Sequence, residues 1–586
     1  AAFAHHCRLA LMLGDHKYSS LSPDPNWKTN YSLTANTKNR APHQKLDEHL
    51  VGVTRHAVRT AHLLPSFETE FPTANGIARL KHRSPQKYRW QDTAVANIQK
   101  WRSNEKEKFG FFCVNMASTG CGKTLANAKL MQALSKDQDS LRYALALGLR
   151  TLTLQTGDEY REKIGLDNSE LAVVLGSQAI KELHELGTTE GPARQHEADG
   201  AESRLPLLEE DVDYDCAIPE EALTTVVDSE RDQSFLYAPI LACTIDHLMS
   251  ATEATRGGKY ILPTLRLMSS DLVIDEIDDF TGDDLIAIGR LVHLAGMLGR
   301  KVMLSSATIP PDLAEGYYNA YRIGWLTHCK FHNAQALLGC AWVDEFSTYI
   351  KTVEATASSK AIDEYRAHHK NFVESRLTQL QKQPVKRKAK IAGIAPAKDE
   401  LHLTKSAFFS AVQNNVIELH RNHNTIDPLT HKRVSFGVVR VAHIDPCVDL
   451  TKFLLQSRWP NDTEVRVMAY HSRQTMLLRH VQEQHLDAVL KRNKHDDPNT
   501  GALSNPIVRQ HLSAIAQPNV IFILVATPVE EVGRDHDFDW AVIEPSSFRS
   551  FIQLLGRLLR HRVKELLQPN TSLMQFNLAA IRNSDG

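Results

Sequence analysis

One segment of eight residues constrains this chain more than any other. Residues 117–124 read Ala-Ser-Thr-Gly-Cys-Gly-Lys-Thr, after an apolar run and before a helix-like stretch. A strand, a glycine turn and a helix N-terminus form a cradle of backbone N–H groups for phosphate. In such a loop Gly120 and Gly122 let the backbone approach the phosphates, Lys123 reaches the terminal phosphates, and the Thr124 hydroxyl binds magnesium. The segment predicts a nucleotide site, although its first position is alanine instead of the glycine of the strict pattern.

A second motif supplies carboxylates for the same chemistry. Residues 271–279 form an apolar strand that ends in acidic residues. Asp275 would hold the magnesium, and Glu276 would orient and deprotonate the attacking water. The alternative is an acidic, solvated loop after a buried strand. With Lys123 and Thr124 upstream, the pair predicts ATP hydrolysis.

Composition sets broad bounds. A chain of 586 residues has room for three or four domains, and its net charge of −1 means that any nucleic-acid surface must be local. Eight cysteines without a CxxC pair favour reduced thiols in the cytoplasm and argue against a zinc site. No apolar run approaches the roughly 18 residues of a membrane span. The chain begins with Ala-Ala-Phe instead of Met, so we expect a fragment of a longer protein.

Further motifs follow in a defined order. A buried-strand pattern ends in Ser-Ser-Ala-Thr at 305–308, and another runs into Ala-Thr-Pro-Val-Glu-Glu-Val-Gly-Arg-Asp at 526–535. A helix predicted over 553–560 places Arg557 and Arg560 on one face. Two guanidinium groups directed at one point would stabilise charge that develops on a transferring phosphate. The alternative for arginines at a helix end is compensation of the helix dipole.

In order, these five elements resemble motifs I, II, III, V and VI of the superfamily two helicases. The resemblance implies an α/β fold with two tandem RecA-like lobes, each with a parallel sheet, and ATP in the cleft between them. It also implies that Ser306 and Thr308 couple hydrolysis to movement of the lobes. Gly533 and Asp535 would join the arginines at the nucleotide.

Shorter segments extend the resemblance. Residues 88–92 are similar to the adenine-reading Q motif, with Gln91 on the base edge. Segments near 145–156, 244–248, 435–443 and 470–473 lie where the family grips one nucleic-acid strand. Each segment could instead be an ordinary strand and loop of an α/β core. The residues expected at the nucleic acid are Arg150, Thr151, Thr244, His443 and Arg473.

The opening segment indicates which members of superfamily two the chain resembles. Residues 4–20 resemble the last helix of an HD-type nuclease domain. An HD nuclease followed by this motor is the arrangement of the CRISPR type I effector helicase–nucleases, and residues 11–20 resemble the I-F subtype of that family. The resemblance makes Asp15 a metal ligand. His5 and His6 are candidates for further ligands, or ordinary surface histidines, but His5 lies roughly 15 Å from Asp15 on a continuous helix. A two-metal site spans only about 4 Å, so these residues share a centre only if the helix breaks.

The resemblance implies a division into four parts. Residues 1–65 would be the all-α C-terminal part of the HD domain, and 66–320 the first lobe with an insertion at about 187–232. Residues 321–430 would connect the lobes through a basic linker, and 431–586 would form the second lobe. The remaining HD ligands would lie upstream.

The implied protein is an ATP-dependent single-stranded-DNA translocase coupled to a nuclease and recruited by an RNA-guided surveillance complex. Its cofactors would be ATP, magnesium and, at the HD site, manganese, nickel, cobalt or iron. An adaptation integrase and phage-encoded inhibitors are further expected partners. Association with a membrane is not expected. The alternatives are an RNA helicase or a restriction-type DNA translocase without nuclease activity, and a non-catalytic scaffold.

Overall fold

The computed structural model describes most of the chain, namely residues 1–38, 40–104, 109–148, 150–174, 223, 226–227, 229–252, 260–277, 280, 282–356, 358–395, 404–492, 497, 500–531, 535–562 and 565–582. The chain divides into two compact units, Ala1–Gln381 and Lys382–Gly586. Each unit is built around its own sheet.

The described strands of the first unit are β1 Thr37–Lys38, β2 Ala41–Pro42, β3 Gly110–Asn115, β4 Tyr143–Leu147, β5 Leu171–Val174, β6 Ile240–Thr244, β7 Asp271–Asp275, β8 Val302–Ser305, β9 Leu337–Val343 and β10 Thr348–Glu354. β1 and β2 form a small ribbon, and the others form one sheet in the order β10-β9-β3-β8-β7-β4-β6-β5. Neighbours in this sheet are parallel except β9 and β10, which are antiparallel. β3, β4 and β6 are buried along their whole length, as parallel strands covered by helices on both faces should be.

The described α-helices of the first unit are α1 Ala2–Ser20, α2 Leu46–Phe67, α3 Ala78–Lys81, α4 Trp90–Asn104, α5 Lys123–Leu134, α6 Arg150–Glu159, α7 Glu230–Tyr237, α8 Asp246–Met249, α9 Ile261–Ser269, α10 Asp283–Met297, α11 Pro311–His332 and α12 Lys360–Gln381. Sequence signals mark both ends of α11. It begins with Pro311, whose missing N–H is not needed in the first turn, and stops at Asn333, which is left-handed at φ 50°.

The second unit contains a sheet with the order β11-β17-β16-β13-β15-β14, and β12 pairs with β13 at its side. β12 and β13 are antiparallel, and the other pairs are parallel. The strands are β11 Ala389–Ala392, β12 Thr425–Ile426, β13 Arg433–Arg440, β14 Thr463–Tyr470, β15 Asn519–Ala526, β16 Trp540–Ile543 and β17 Thr571–Met574. The described α-helices are α13 Lys405–Asn422, α14 Ile444–Gln456, α15 Met476–Leu490, α16 Pro506–Ala514, α17 Phe548–Leu555 and α18 Leu578–Arg582.

The prediction of a connecting segment over 321–430 is wrong. β9 pairs with β3 along its length, so β9, β10 and α12 complete the first unit. The basic run continues directly into β11, which pairs with β17, and α13 packs in the core of the second unit. The boundary therefore falls between Gln381 and Lys382. The predicted insertion at about 187–232 lies outside the described residues except for 223, 226–227 and 229–232.

The first two long helices pack on the first unit and do not form a unit of their own. α1 and α2 approach so closely that a Cβ at Gly14 would lie 2.6 Å from the backbone nitrogen of Ala57. Leu9 and Leu13 of α1 share a buried apolar cluster with strand residues of the sheet. Residues 1–65 are thus part of the first compact unit. Among the described helices, none is both long and apolar enough to cross a membrane.

Candidate functional site

The phosphate loop has the backbone that the sequence predicts. β3 ends at Asn115 and α5 begins at Lys123, with Gly120 and Gly122 between them in the left-handed region at φ 79° and 83°. These angles are costly for a residue with a Cβ. A Cβ at Gly122 would also lie 2.7 Å from the Nε2 atom of Gln91. Both glycines are therefore required by the loop geometry.

Two residues at the start of α4 hold the end of this loop. The Trp90 indole donates to the Cys121 carbonyl at 3.1 Å, and Gln91 Nε2 donates to the Gly122 carbonyl at 2.9 Å. The Gln91 carbonyl oxygen accepts from the Ser84 hydroxyl at 2.8 Å. Gln91 is buried and fixes the loop in this structure. Its contact with an adenine edge stays a prediction.

A buried lysine ties the loop helix to the same region. Lys129 of α5 donates from Nζ to the His82 carbonyl, the Ser84 hydroxyl and Asp92, each at 2.8 Å. All three donors of the ammonium are thus used, as burial of a charge requires. Sequence reasoning missed Lys129, although Asp92 next to Gln91 was a signal for a cationic partner.

The acidic motif meets the loop lysine. Lys123 Nζ lies 3.3 Å from Oε1 and 3.4 Å from Oε2 of Glu276, which follows β7. Glu276 has a φ of 49°, a strained conformation that is common at functional sites. The structure therefore brings together the lysine and the glutamate that sequence reasoning assigned to one site. Asp278 and Asp279 lie outside the described residues.

Asp275, at the end of β7, is buried. The pKa of Asp275 is raised from 3.8 to about 6, first by burial and then by the neighbouring Glu276, while Lys123 and a hydrogen bond from Ser305 act in the opposite direction. The main cause is desolvation of the carboxylate. Thr124 and Asp275 offer a hydroxyl and a carboxylate, the hard oxygen ligands that magnesium takes. These two residues fit the predicted magnesium.

A buried polar network links the loop strand to the third motif. Asn115 Nδ2 donates to Asn127 Oδ1 at 2.8 Å, and Asn127 Nδ2 donates to the Ser305 hydroxyl at 3.0 Å. The Ser306 N–H donates to the Asn115 carbonyl at 3.1 Å, and the Thr308 N–H donates to the Ser306 hydroxyl at 3.2 Å. Ser306 and Thr308, the predicted coupling residues, thus lie beside β3. Sequence reasoning missed the asparagines and Ser305.

In the second unit, the prediction of a helix through 560 is wrong. α17 ends at Leu555, because Leu558 bridges to Phe538 and Leu559 turns left-handed at φ 44°. Arg557 and Arg560 follow the helix and do not share a helical face.

Both arginines contact residues of the second unit. Arg557 Nη2 donates to the Glu531 carbonyl at 2.9 Å, and Arg560 Nε lies 2.6 Å from Asp535 Oδ1. Burial raises the pKa of Asp535, but His561 and the arginines outweigh burial and hold it well below the usual range. Asp535 is therefore ionised at neutral pH. Gly533 lies outside the described residues.

Two predicted nucleic-acid residues line one cavity of about 630 Å³ at the carboxyl ends of β13, β14 and β15. His443 precedes α14, and Arg473 follows β14 with 74% of its side chain exposed, 3.6 Å from Asp445. Thr244 ends β6 and is buried, so its side chain is not exposed for the predicted contact with nucleic acid. Arg150 begins α6, and the side chains of Arg150 and Thr151 lie outside what the structure describes.

The expected nuclease residues are spread along α1. The helix is continuous from Ala2 to Ser20, so no break brings His5 and His6 to Asp15, as the spacing of these residues in the sequence indicates. A metal role for His5 or His6 stays a prediction. His6 Nδ1 bonds the Ala2 carbonyl, and burial lowers the pKa of His5 to about 4. Asp15 pairs instead with His49 of α2, with 3.1 Å from Nε2 to Oδ1, a partner that sequence reasoning missed. Within the described ranges, no group of three or more His, Cys, Asp or Glu side chains is arranged to hold a metal.

Two compact units with parallel sheets, and a phosphate loop facing an Asp-Glu pair, define the class of proteins with RecA-like helicase lobes. The predicted fold class is confirmed. The family model for the C-terminal part of the CRISPR-associated nuclease/helicase Cas3 matches residues 433–563.

The chain is 40% identical over 591 residues to the CRISPR-associated nuclease/helicase Cas3 subtype I-F/YPEST of Pseudomonas aeruginosa strain UCBPP-PA14, covering 99% of this chain and 53% of that protein. It is equally identical, over 599 residues with the same coverage, to the protein of that description from Pectobacterium atrosepticum. The T. fusca Cas3–AMPPNP structure shares the fold with a TM-score of 0.53 at 16% identity, over 91% of this chain and 51% of that one. The predicted resemblance to the I-F helicase–nucleases is confirmed, and the chain spans about half the length of these curated relatives.

Proposed function

We propose that this chain is the motor part of a CRISPR helicase–nuclease and that it hydrolyses ATP to move along single-stranded DNA. The observation that carries the proposal is the contact between Lys123 of the phosphate loop and Glu276, next to the buried Asp275. In this structure the Glu276 carboxylate neutralises the lysine. A bound triphosphate would take over the ammonium and free this carboxylate.

The freed carboxylate is the group that would act on water. Glu276 is 29% exposed, so its oxygens can reach both solvent and the loop. It would orient the attacking water and accept its proton. Asp275 and Thr124 would hold the magnesium, which neutralises phosphate charge when bound. Lys123 would stabilise the charge that develops on the transferred group.

The second unit would contribute to hydrolysis and to strand binding. Arg557, Arg560 and Asp535 remain the predicted partners of the nucleotide. His561 and Arg560, which pair with Asp535, keep its carboxylate charged. His443 and Arg473 line a cavity with a mixed polar and apolar wall, which suits the backbone of one strand. The exposed Arg473 would bind phosphate through its guanidinium.

The activities of the whole protein are further proposals, supported by similarity to relatives named as nuclease/helicases. Asp15 would be one ligand of a transition metal at an HD nuclease site, where imidazole and carboxylate ligands suit manganese, nickel, cobalt or iron. An RNA-guided surveillance complex would recruit the protein to opened target DNA. An adaptation integrase and phage inhibitors would be other partners.

ATP hydrolysis with and without single-stranded DNA or RNA tests the motor. We expect DNA to stimulate hydrolysis, and Lys123→Ala to lower the rate by about 10²–10³. Lys136→Ala, an exposed lysine just after the same helix, is the matched control and should hydrolyse ATP normally. Stimulation by RNA alone would favour an RNA helicase and overturn the proposal.

A further inference from the structure

A buried group of charges contacts the start of the phosphate loop, away from Lys123 and the acidic motif. It consists of Arg376 on α12, Asp344 and Glu345 at the turn between β9 and β10, and Ser118 of the loop; we name it the Arg376 cluster. Ser118 is separated by 227 residues from Glu345 and by 258 from Arg376. The cluster thus joins three distant parts of the first unit.

The cluster forms hydrogen bonds with both the hydroxyl and the backbone N–H of Ser118. The Ser118 N–H donates to Glu345 Oε2 at 3.0 Å, and its hydroxyl donates to Glu345 Oε1. Arg376 Nη2 in turn donates to the Ser118 hydroxyl oxygen at 2.9 Å. Position and orientation of Ser118 are therefore set by groups outside the loop.

The groups that hold Ser118 are themselves fixed. Arg376 Nη1 lies 3.1 Å from Asp344 Oδ2 and 2.9 Å from Glu345 Oε2. Asp344 Oδ1 accepts from the N–H groups of Phe346 at 2.8 Å and Ser347 at 2.7 Å, which orders the turn. Arg376 and Asp344 are both buried, so their pairing is little screened by solvent.

The cluster complements the contacts at the other end of the loop. Trp90 and Gln91 hold the carbonyls of Cys121 and Gly122, whereas the cluster holds Ser118. A loop fixed at both ends keeps its N–H groups in place before a ligand arrives, which lowers the entropy cost of binding.

The Arg376 cluster contains one more negative charge than positive charges. Arg376 carries one positive charge between two carboxylates. Burial raises the pKa of Glu345, but Arg376 and the Ser118 hydroxyl outweigh burial, so this pKa lies below its usual range and the carboxylate is ionised at neutral pH. Without the guanidinium, two uncompensated carboxylates would face the start of the loop and repel an anion.

We propose that Arg376 is a positioning residue that, with Glu345, fixes the start of the phosphate loop and thereby sets the affinity for ATP. The inference rests on the proposed ATPase function. Arg376 lies five residues before the end of α12, the last helix of the first unit. It contacts the Ser118 hydroxyl of the loop and the Glu345 carboxylate, and it is not assigned a role in the chemical step.

The test is steady-state ATP hydrolysis by the full chain in four forms: unaltered, Arg376→Gln, Arg376→Gln with Glu345→Gln, and the control Arg366→Gln. Arg366 lies on the same helix, is 57% exposed and pairs with Glu315 and Asp363, so it matches the substitution without the loop contact. We expect KM for ATP to rise about tenfold in Arg376→Gln with kcat within about twofold, because the loop loses its preset shape. The double variant removes the charge of Glu345, one of the two carboxylates that Arg376→Gln leaves unpaired and the one that contacts Ser118, and should recover part of the affinity.

An unchanged KM in Arg376→Gln, or an equal rise in Arg366→Gln, would overturn the inference while the ATPase proposal stands. If Arg376→Gln does not fold, Ser118→Ala decides, since it removes only a hydroxyl. A rise of about threefold in KM is then expected, and no change overturns the inference. Absence of hydrolysis in the unaltered chain would overturn the proposed function itself.

Discussion

Replacing the buried aspartate of the candidate site should make the empty protein more stable. The pKa of Asp275 is raised from 3.8 to about 6, chiefly by burial. The folded protein therefore holds a proton between about pH 4 and 6 that the unfolded chain releases. Stability of the empty protein falls as pH rises through this window, and above pH 6 the full penalty applies. Asp275→Asn cannot ionise and escapes this penalty.

The size of the effect follows from the pKa change. A difference of about two pH units corresponds to about 3 kcal/mol at pH 7.5, which is an upper value. The asparagine keeps an oxygen for the Glu276 N–H that Asp275 Oδ1 accepts at 3.1 Å. A unit of 381 residues has an unfolding entropy of about 0.8 kcal/mol/K, so Tm should rise by about 4 °C.

Thermal unfolding of the empty protein at pH 7.5 and pH 4.5 is the assay. We expect the gain in Tm of Asp275→Asn at pH 7.5 to shrink at pH 4.5, where the aspartate of the folded protein is protonated. Asp271→Asn on the same strand is the control. Asp271 accepts the Lys301 N–H at 2.8 Å and pairs with its ammonium at 3.2 Å, so this variant should lose about 1 kcal/mol. A lower Tm for Asp275→Asn than for the unaltered protein at pH 7.5 would refute the reasoning.

Two further variants test the loop and the core. Gly122→Ala should weaken ATP binding about tenfold or more, because the added Cβ would push on Gln91. Gly76→Ala is the strain-matched control, since Gly76 has a φ of 68° and open space around it. Equal ATP affinities in the two variants would contradict the expected effect of Gly122→Ala. Arg266→Leu should lower the free energy of unfolding by about 3–5 kcal/mol, since the buried guanidinium donates to the carbonyls of Tyr143 and Pro239 at 3.0 Å. Arg290→Leu, at an exposed position, is the control and should change the free energy of unfolding little. Unfolding curves in denaturant check the second expectation, and similar midpoints for both arginine variants would contradict it.

Local patterns account for what sequence reasoning found. The phosphate loop is a strand, a glycine turn and a helix in succession, and the acidic motif is a strand with its carboxylates at the end. Parallel strands bring these ends to one edge of a sheet, so Lys123 and Glu276 could be assigned to one site although 153 residues separate them.

Long-range packing accounts for what was missed. Arg376 and Glu345 reach Ser118 only because β9 pairs with β3, and no local pattern specifies that pairing. The end of α17 at Leu555 is set by the bridge between Phe538 and Leu558, which overrides the helical preference of the following leucines. Likewise, the contact of His49 with Asp15 depends on how α1 and α2 pack.

Binding and hydrolysis of ATP measured on the same preparations test the central claim most directly. Lys123→Ala should lose both, because the ammonium is needed to hold the phosphates. Glu276→Gln should bind ATP at least as tightly as the unaltered chain, since the competing carboxylate charge at Lys123 is gone, yet hydrolyse it at least about 100-fold more slowly. Hydrolysis by Glu276→Gln at the unaltered rate would contradict the assignment of this glutamate and with it the site described here.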